Sequence, residues 1–212
     1  MRRVILKMSM SVDGFVSGPN GEHDWVFRSI DDEVMAWEVE TIGQAGVHAM
    51  GSRTFYDMAN HWPTSPEPLA ALMNEIPKVV FSKQGAVDPG RITTRALDDA
   101  RRANDEQGKK RVAPSPHSRT WSEARVMTGD LAESITRLKQ EAGKDIIVYG
   151  GAGLAKSLVK TGLVDEYQLL ILPVVLGSGG AIFAGIEKPV DLKLVTSKVF
   201  GTGATALTYA PR

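Results

Sequence analysis

The chain contains no cysteine. That excludes disulfides, thiolate metal ligation and a cysteine nucleophile, and it fits a reducing compartment. It also lacks an excess of either charge: 25 Lys+Arg stand against 25 Asp+Glu. Nucleic-acid binders usually carry a basic surplus, so no nucleic-acid partner is expected. No apolar run approaches the roughly 18 residues of a membrane span. The start "MRRVILKMSMSVDG" is basic and then apolar, but Lys7 and two serines interrupt it and no small-residue cleavage site follows. A cytoplasmic protein without membrane contact is the expectation. The histidines at positions 23, 48, 61 and 117 are not spaced as metal ligands, so no metal is expected. There is no internal repeat and no linker, and 212 residues suit one domain spanning 1–212.

What is present alternates between two periods. "RVILKMSM", "GVHAM", "KVVFS", "EARVM" and "DIIVY" read as strands. "DDEVMAWEVETI", "GSRTFYDM", "LAALMNEI", "GDLAESITRLKQEAGK" and "LAKSLVKTG" read as helices. Asp31 or Asp32 is placed to cap the first of these, and Asp130 the fourth, with Gly143 as its end. "VDGFVSGPNGEHDW" is a turn-rich loop. "DEYQLLILPVVLG" reads as a long strand that would invite pairing if it lay at an edge, and "LKLVTSKVF" with "TALTYA" as a closing hairpin. Residues 97–120 are polar and nearly free of large apolar groups, and predict a solvated excursion; "GKKR" within them reads as solvated charge. Strands alternating with helices imply parallel βαβ units, hence an α/β fold on a mixed sheet. His48, in an apolar strand, reads as a satisfied core group.

Three junctions carry chemistry. "VYGGAGLAKS" runs from a strand through Gly150, Gly151 and Gly153 into a helix. It matches neither a P-loop, since Ala155 precedes Lys156, nor a Rossmann fingerprint, since position 156 is not glycine. Yet bare backbone followed by a helix N-terminus suits a pyrophosphate, and equally a tight packing turn. "AMGSRTF" repeats the arrangement, with Gly51, Ser52, Arg53 and Thr54 at a helix start, which serves either a phosphate or a cap. "VVFSK" closes a strand with Ser82 and Lys83. In open α/β sheets, ligands bind along the edge where such strands end.

The order of these pieces resembles the dihydrofolate reductase-like superfamily. The closer likeness is to the reductase domain of the bifunctional riboflavin-biosynthesis deaminase–reductase. It rests on "SMSVDGFVSG", "HDW", "MGSRTFYDM", "KVVFSK", "GDLAESITRLK" and "DIIVYGGAGLAKSLVKTGLVDEYQLLILPVVLGSGGAIF" taken together. The resemblance implies a three-layer fold: a mostly parallel sheet, helices on both faces, and a C-terminal antiparallel hairpin. It implies NADPH as coenzyme. Gly150, Gly151, Ala152, Gly153 and Leu154 would surround its pyrophosphate, with Gly51, Ser52, Arg53 and Thr54 on the other side. Ser82 and Lys83 would meet the adenosine ribose and its 2'-phosphate. Ser11, Trp25 and Gly177 would border the substrate, and the loop 14–25 would close over it.

Asp13 and Asp32 are the acids placed to orient substrate or polarise a C=N bond. Asp-Gly is also a turn signal, and a helix cap equally accounts for Asp32. The implied reaction is NADPH-dependent reduction of a small heterocycle, of the 5-amino-6-(5-phosphoribosylamino)uracil reductase type, in a homodimer. Dihydrofolate reduction and nucleotide binding without turnover are the alternatives. The chain departs from folate reductases in carrying Ser52 where arginine usually meets the 2'-phosphate, and in lacking their proline–tryptophan pattern. The deaminase half, with its cysteine zinc ligands, has no counterpart here.

Overall fold

The computed structural model describes residues 1–83, 85, 87 and 95–212. Strand β1 (Val4–Ser11) leads into the turn-rich loop, which holds the single-turn helix α1 (Asp24–Phe27). Helix α2 (Asp32–Ile42) precedes β2 (Ala45–Gly51), which runs directly into α3 (Ser52–His61) and a 3-10 turn at Trp62–Thr64. Then come α4 (Ala70–Glu75), β3 (Lys78–Phe81), α5 (Arg95–Glu106), α6 (Arg119–Ser122), β4 (Arg125–Met127) and α7 (Leu131–Gln140). The chain closes with β5 (Asp145–Tyr149), α8 (Ala152–Thr161), β6 (Glu166–Leu172), β7 (Leu192–Val199) and β8 (Thr205–Pro211).

The strands form one sheet in the order β4-β3-β2-β5-β1-β6-β8-β7. β4 through β6 are parallel, while β8 is antiparallel to both β6 and β7. Alternate residues of each strand enter opposite cores. Val4, Leu6, Met8 and Met10 of β1 pack with Ile135 and Leu138 of α7 and Leu158 of α8. Ile5 faces the other way, among Ile42, Phe55, Met73 and Ile147. Burial of both faces explains why the parallel strands read as near-continuous apolar runs. The parallel strands also all end on one rim, which is where the site lies.

Local signals set the helix ends. Asp31, not Asp32, caps α2: its carboxylate accepts from the Val34 N–H at 2.9 Å. Asp130 caps α7 through the Glu133 N–H at 2.9 Å. That helix stops at Gln140, before Gly143, because Glu141 is extended and tied to Arg125 at 2.6 Å. α8 ends on Gly162, whose φ of 67° is the left-handed C-terminal turn that glycine tolerates.

Three expectations are corrected. The strand read through "DEYQLLILPVVLG" ends at Leu172, because Pro173 has no N–H for the ladder. It is interior, flanked by β1 and β8, and the sheet's edge strands are β4 and β7. Residues 97–120 are not a solvated excursion throughout. α5 packs against α1 and α3, with Leu97 and Asp99 buried. His48 is buried, but neither of its ring nitrogens has a hydrogen-bond partner among the described residues. The ring instead meets Tyr149 edge-on at 5.1 Å.

Candidate functional site

Neighbouring strands β2 and β5 both deliver the chain to a glycine and then to a helix. Ala49 pairs with Val148, so Gly51 and Gly150 leave the sheet at the same level. Gly51 is the N-cap of α3 and Gly151 that of α8, and neither helix has a side-chain cap. The first-turn N–H groups of an α-helix have no intrahelical acceptor, so both helix starts present free donors and the positive end of a dipole. The two starts abut: a Cβ on Gly51 would lie 3.7 Å from the Leu154 Cβ.

Thr54, in the first turn of α3, joins them. Its Oγ1 accepts from the Gly151 N–H at 3.0 Å and donates to the Gly150 carbonyl at 2.5 Å. The glycines divide by role. A Cβ on Gly150 would meet the end of the Met8 side chain at 2.2 Å, so a larger residue there would displace that methionine. At Gly153 no atom lies within 4 Å, so the space in front of the helix is open. Open space, free main-chain donors and two adjacent helix N-termini suit an oxyanion, and a coenzyme pyrophosphate fits that donor set. Gly150, Gly151, Ala152, Gly153 and Leu154 are thus brought together with Gly51, Ser52, Arg53 and Thr54. One strand further out, β3 ends at Phe81; the next residue, Ser82, is buried and its N–H donates to the Met127 carbonyl at 3.1 Å. Lys83 and Arg53 are exposed cations on the same rim.

On the other side of β5, the end of β1 meets a second loop. Asp13 accepts from the Ser11 hydroxyl at 2.6 Å, from the Gly177 N–H at 2.7 Å and from the Leu176 N–H at 3.1 Å. The Ser11 hydroxyl, then the two amides, hold this carboxyl below its ordinary pKa, so it is ionised at neutral pH. The Val16 N–H donates to the Gly180 carbonyl and the Gly180 N–H to the Ser17 carbonyl. A Cβ on Gly180 would approach that of Ala152 to 2.7 Å. The Ser11–Asp13–Gly177 cluster is therefore stitched to the first residue of α8. Trp25 lies elsewhere, buried among Val34, Leu172 and Phe200, with its Nε1 donating to the Glu22 carbonyl at 3.1 Å. Asp32 is exposed in the first turn of α2.

The sequence reading missed a buried polar layer directly beneath the glycines. Lys7 sits in register with Tyr149 on one side and Gln168 on the other. Its ammonium lies 3.2 Å from Glu38 and 3.7 Å from the centre of the Trp37 ring. Burial lowers the lysine pKa against the opposing pull of Glu38. Burial, and then Glu38, push the Tyr149 phenol well above its usual value. The Tyr149 hydroxyl has no hydrogen-bond partner among the described residues. A lysine inside an apolar strand was the available signal; its partners come from distant segments.

Sheet order and paired glycine-capped helices on one rim define a dihydrofolate reductase-like α/β protein. The chain belongs to the RibD C-terminal domain family, which it matches over residues 2–206. It is 30% identical over 208 residues to the uncharacterized protein YyaP of Bacillus subtilis (strain 168), covering 98% of this chain and 94% of that one. Among solved structures it is similar to the Thermotoga maritima diaminohydroxyphosphoribosylaminopyrimidine deaminase/5-amino-6-(5-phosphoribosylamino)uracil reductase. The TM-score is 0.63 at 18% identity, over all of this chain and 57% of that protein. It is also similar to dihydrofolate reductase from Enterococcus faecalis, solved with NADP(H), with a TM-score of 0.57 at 13% identity over 99% of this chain and 96% of the other. These likenesses establish the fold.

Proposed function

We propose that this protein is an NADPH-dependent oxidoreductase of a small heterocyclic substrate, of the 5-amino-6-(5-phosphoribosylamino)uracil reductase type. The observation that carries the reading is the latched pair of uncapped helix N-termini at Gly51 and Gly151. The coenzyme, when bound, supplies the hydride. The chain's own residues bind and orient. First-turn amides of α3 and α8 hold the pyrophosphate, with Ser52 and Thr54 alongside. Ser82, Lys83 and Arg53 meet the adenosine ribose and its 2'-phosphate. Ser11, Asp13 and Gly177 form the wall on the substrate side. Asp13, being ionised and held by three donors, orients substrate electrostatically and is not a proton donor. Asp32 at the start of α2 is the second orienting acid, and Trp25 acts through the loop that it anchors.

The same reading includes a homodimer formed through β7. Leu194, Val195 and Val199 of that edge strand are exposed, Val199 at 72%, and an open apolar edge favours strand pairing. Sedimentation at several concentrations tests it, and a monomer throughout would remove the dimer. For the activity, the measurement is coenzyme oxidation across pyrimidine, pterin and folate substrates. The reading expects turnover with a ribosylaminopyrimidine and little with dihydrofolate. Binding of NADPH without turnover on any of them would favour a nucleotide sensor instead.

A further inference from the structure

A second polar hollow lies at the opposite end of α3. At about 1.5 Å per residue, the ten residues of α3 separate it from the coenzyme cradle by roughly the length of the helix. It has a volume of about 100 Å³ and is lined by Asn60, Thr64, Arg101, Asp105, Lys109 and Arg111 among others. A water occupies about 30 Å³ of liquid volume, so the hollow has room for a few waters or one tetrahedral oxyanion. It is built by the segment that the sequence alone left as solvated charge: Lys109 and Arg111 belong to "GKKR".

Two guanidiniums converge there on one neutral acceptor. Arg101 and Arg111 each donate to the Asn60 carbonyl at 3.4 Å. The Arg111 Nε donates to the Thr64 hydroxyl at 2.8 Å, which leaves that hydroxyl's own proton to give. The Arg101 Nε is buried and has no partner among the described residues. An arginine near a helix C-terminus is ordinarily explained by the helix dipole, but that end carries only about half a negative charge. Asp105 and the neighbouring Glu67, which interacts with Lys109, add two carboxylates, and three cations face them. The balance stays positive, and two forked donors with a hydroxyl match the oxygens of a phosphate.

We infer that the hollow between the carboxyl end of α3 and residues 101–111 binds a dianionic phosphate group, independently of the coenzyme cradle. The test is isothermal titration of the full chain at low salt with inorganic phosphate and, separately, with glycerol 3-phosphate. The wild type should bind at least one of them saturably, and the tighter of the two assigns the source as free ion or phosphomonoester. Arg111→Gln, at an exposed position that carries no core packing, should weaken binding at least tenfold, and Lys109→Gln should weaken it less. Arg53→Ala/Lys83→Ala, which alters the cradle, should leave it unchanged. No saturable binding, equal affinity in Arg111→Gln, or loss only in the cradle double variant would overturn the assignment.

Discussion

Thr54→Val removes the latch between the two helix starts while keeping the side-chain volume. The hydroxyl makes two hydrogen bonds, to the Gly151 N–H and the Gly150 carbonyl. Each contributes about 1 kcal/mol net when both partners are otherwise satisfied. Water can replace the bond to the exposed Gly151 amide, but less readily the one to the part-buried Gly150 carbonyl. The expected loss is therefore about 1–2 kcal/mol, with Tm falling about 2–4 °C per kcal/mol for a chain of this size. The larger effect falls on the ligand: a loosened start of α8 should raise the NADPH Kd about tenfold, equivalent to about 1.4 kcal/mol. Thr54→Ser keeps the hydroxyl and should behave nearly as the wild type. Urea unfolding and coenzyme titration read both effects. If Thr54→Val matched the wild type in both, or Thr54→Ser lost as much, the latch would have no role.

Two further outcomes follow from the buried charges. Burial pushes Lys78 down to about 7, while the unfolded chain keeps a pKa near 10.4. Between those values the unfolded state holds more protons, so stability should rise with pH, by at most about 1.4 kcal/mol per unit. Lys78→Met should flatten that slope in unfolding curves taken between neutral and mildly alkaline pH; an unchanged slope would refute the assignment. Glu38→Gln strands the Lys7 ammonium in a site where its side chain is 5% exposed, and should cost about 3–5 kcal/mol. Lys7→Met combined with Glu38→Leu should recover much of that in the same urea assay. A single variant as stable as the double would show that the pair is not a coupled unit.

Elements set by short-range rules were legible in the sequence: the period-two runs of β1 and β5, the capped helix α7, and the glycine junctions at Gly51 and Gly151. What depends on sheet order was not. β1 lies between β5 and β6, and only that order sets Lys7 beside Tyr149 and Gln168. The adjacent acids Asp31 and Asp32 offered two equivalent caps, and backbone geometry chose the first. Asp13 was legible both as a turn residue and as a candidate acid; its contacts with Leu176 and Gly177, far along the chain, supply the turn-side explanation. α5 escaped notice because its inner face is largely polar. Asp99 accepts from the His23 N–H at 3.1 Å and Arg101 reaches Asn60, so pairing takes the place of an apolar stripe.

The central claim is that the bare helix start of α8 holds the coenzyme pyrophosphate, and NADPH affinity in Gly153→Asp tests it most directly. No atom lies within 4 Å of a Cβ at that position and its backbone conformation is one any residue adopts. A carboxylate in a first helical turn favours the fold. The variant should therefore fold as stably as the wild type and lose NADPH binding by two orders of magnitude or more. Unchanged affinity in the folded variant would contradict the claim.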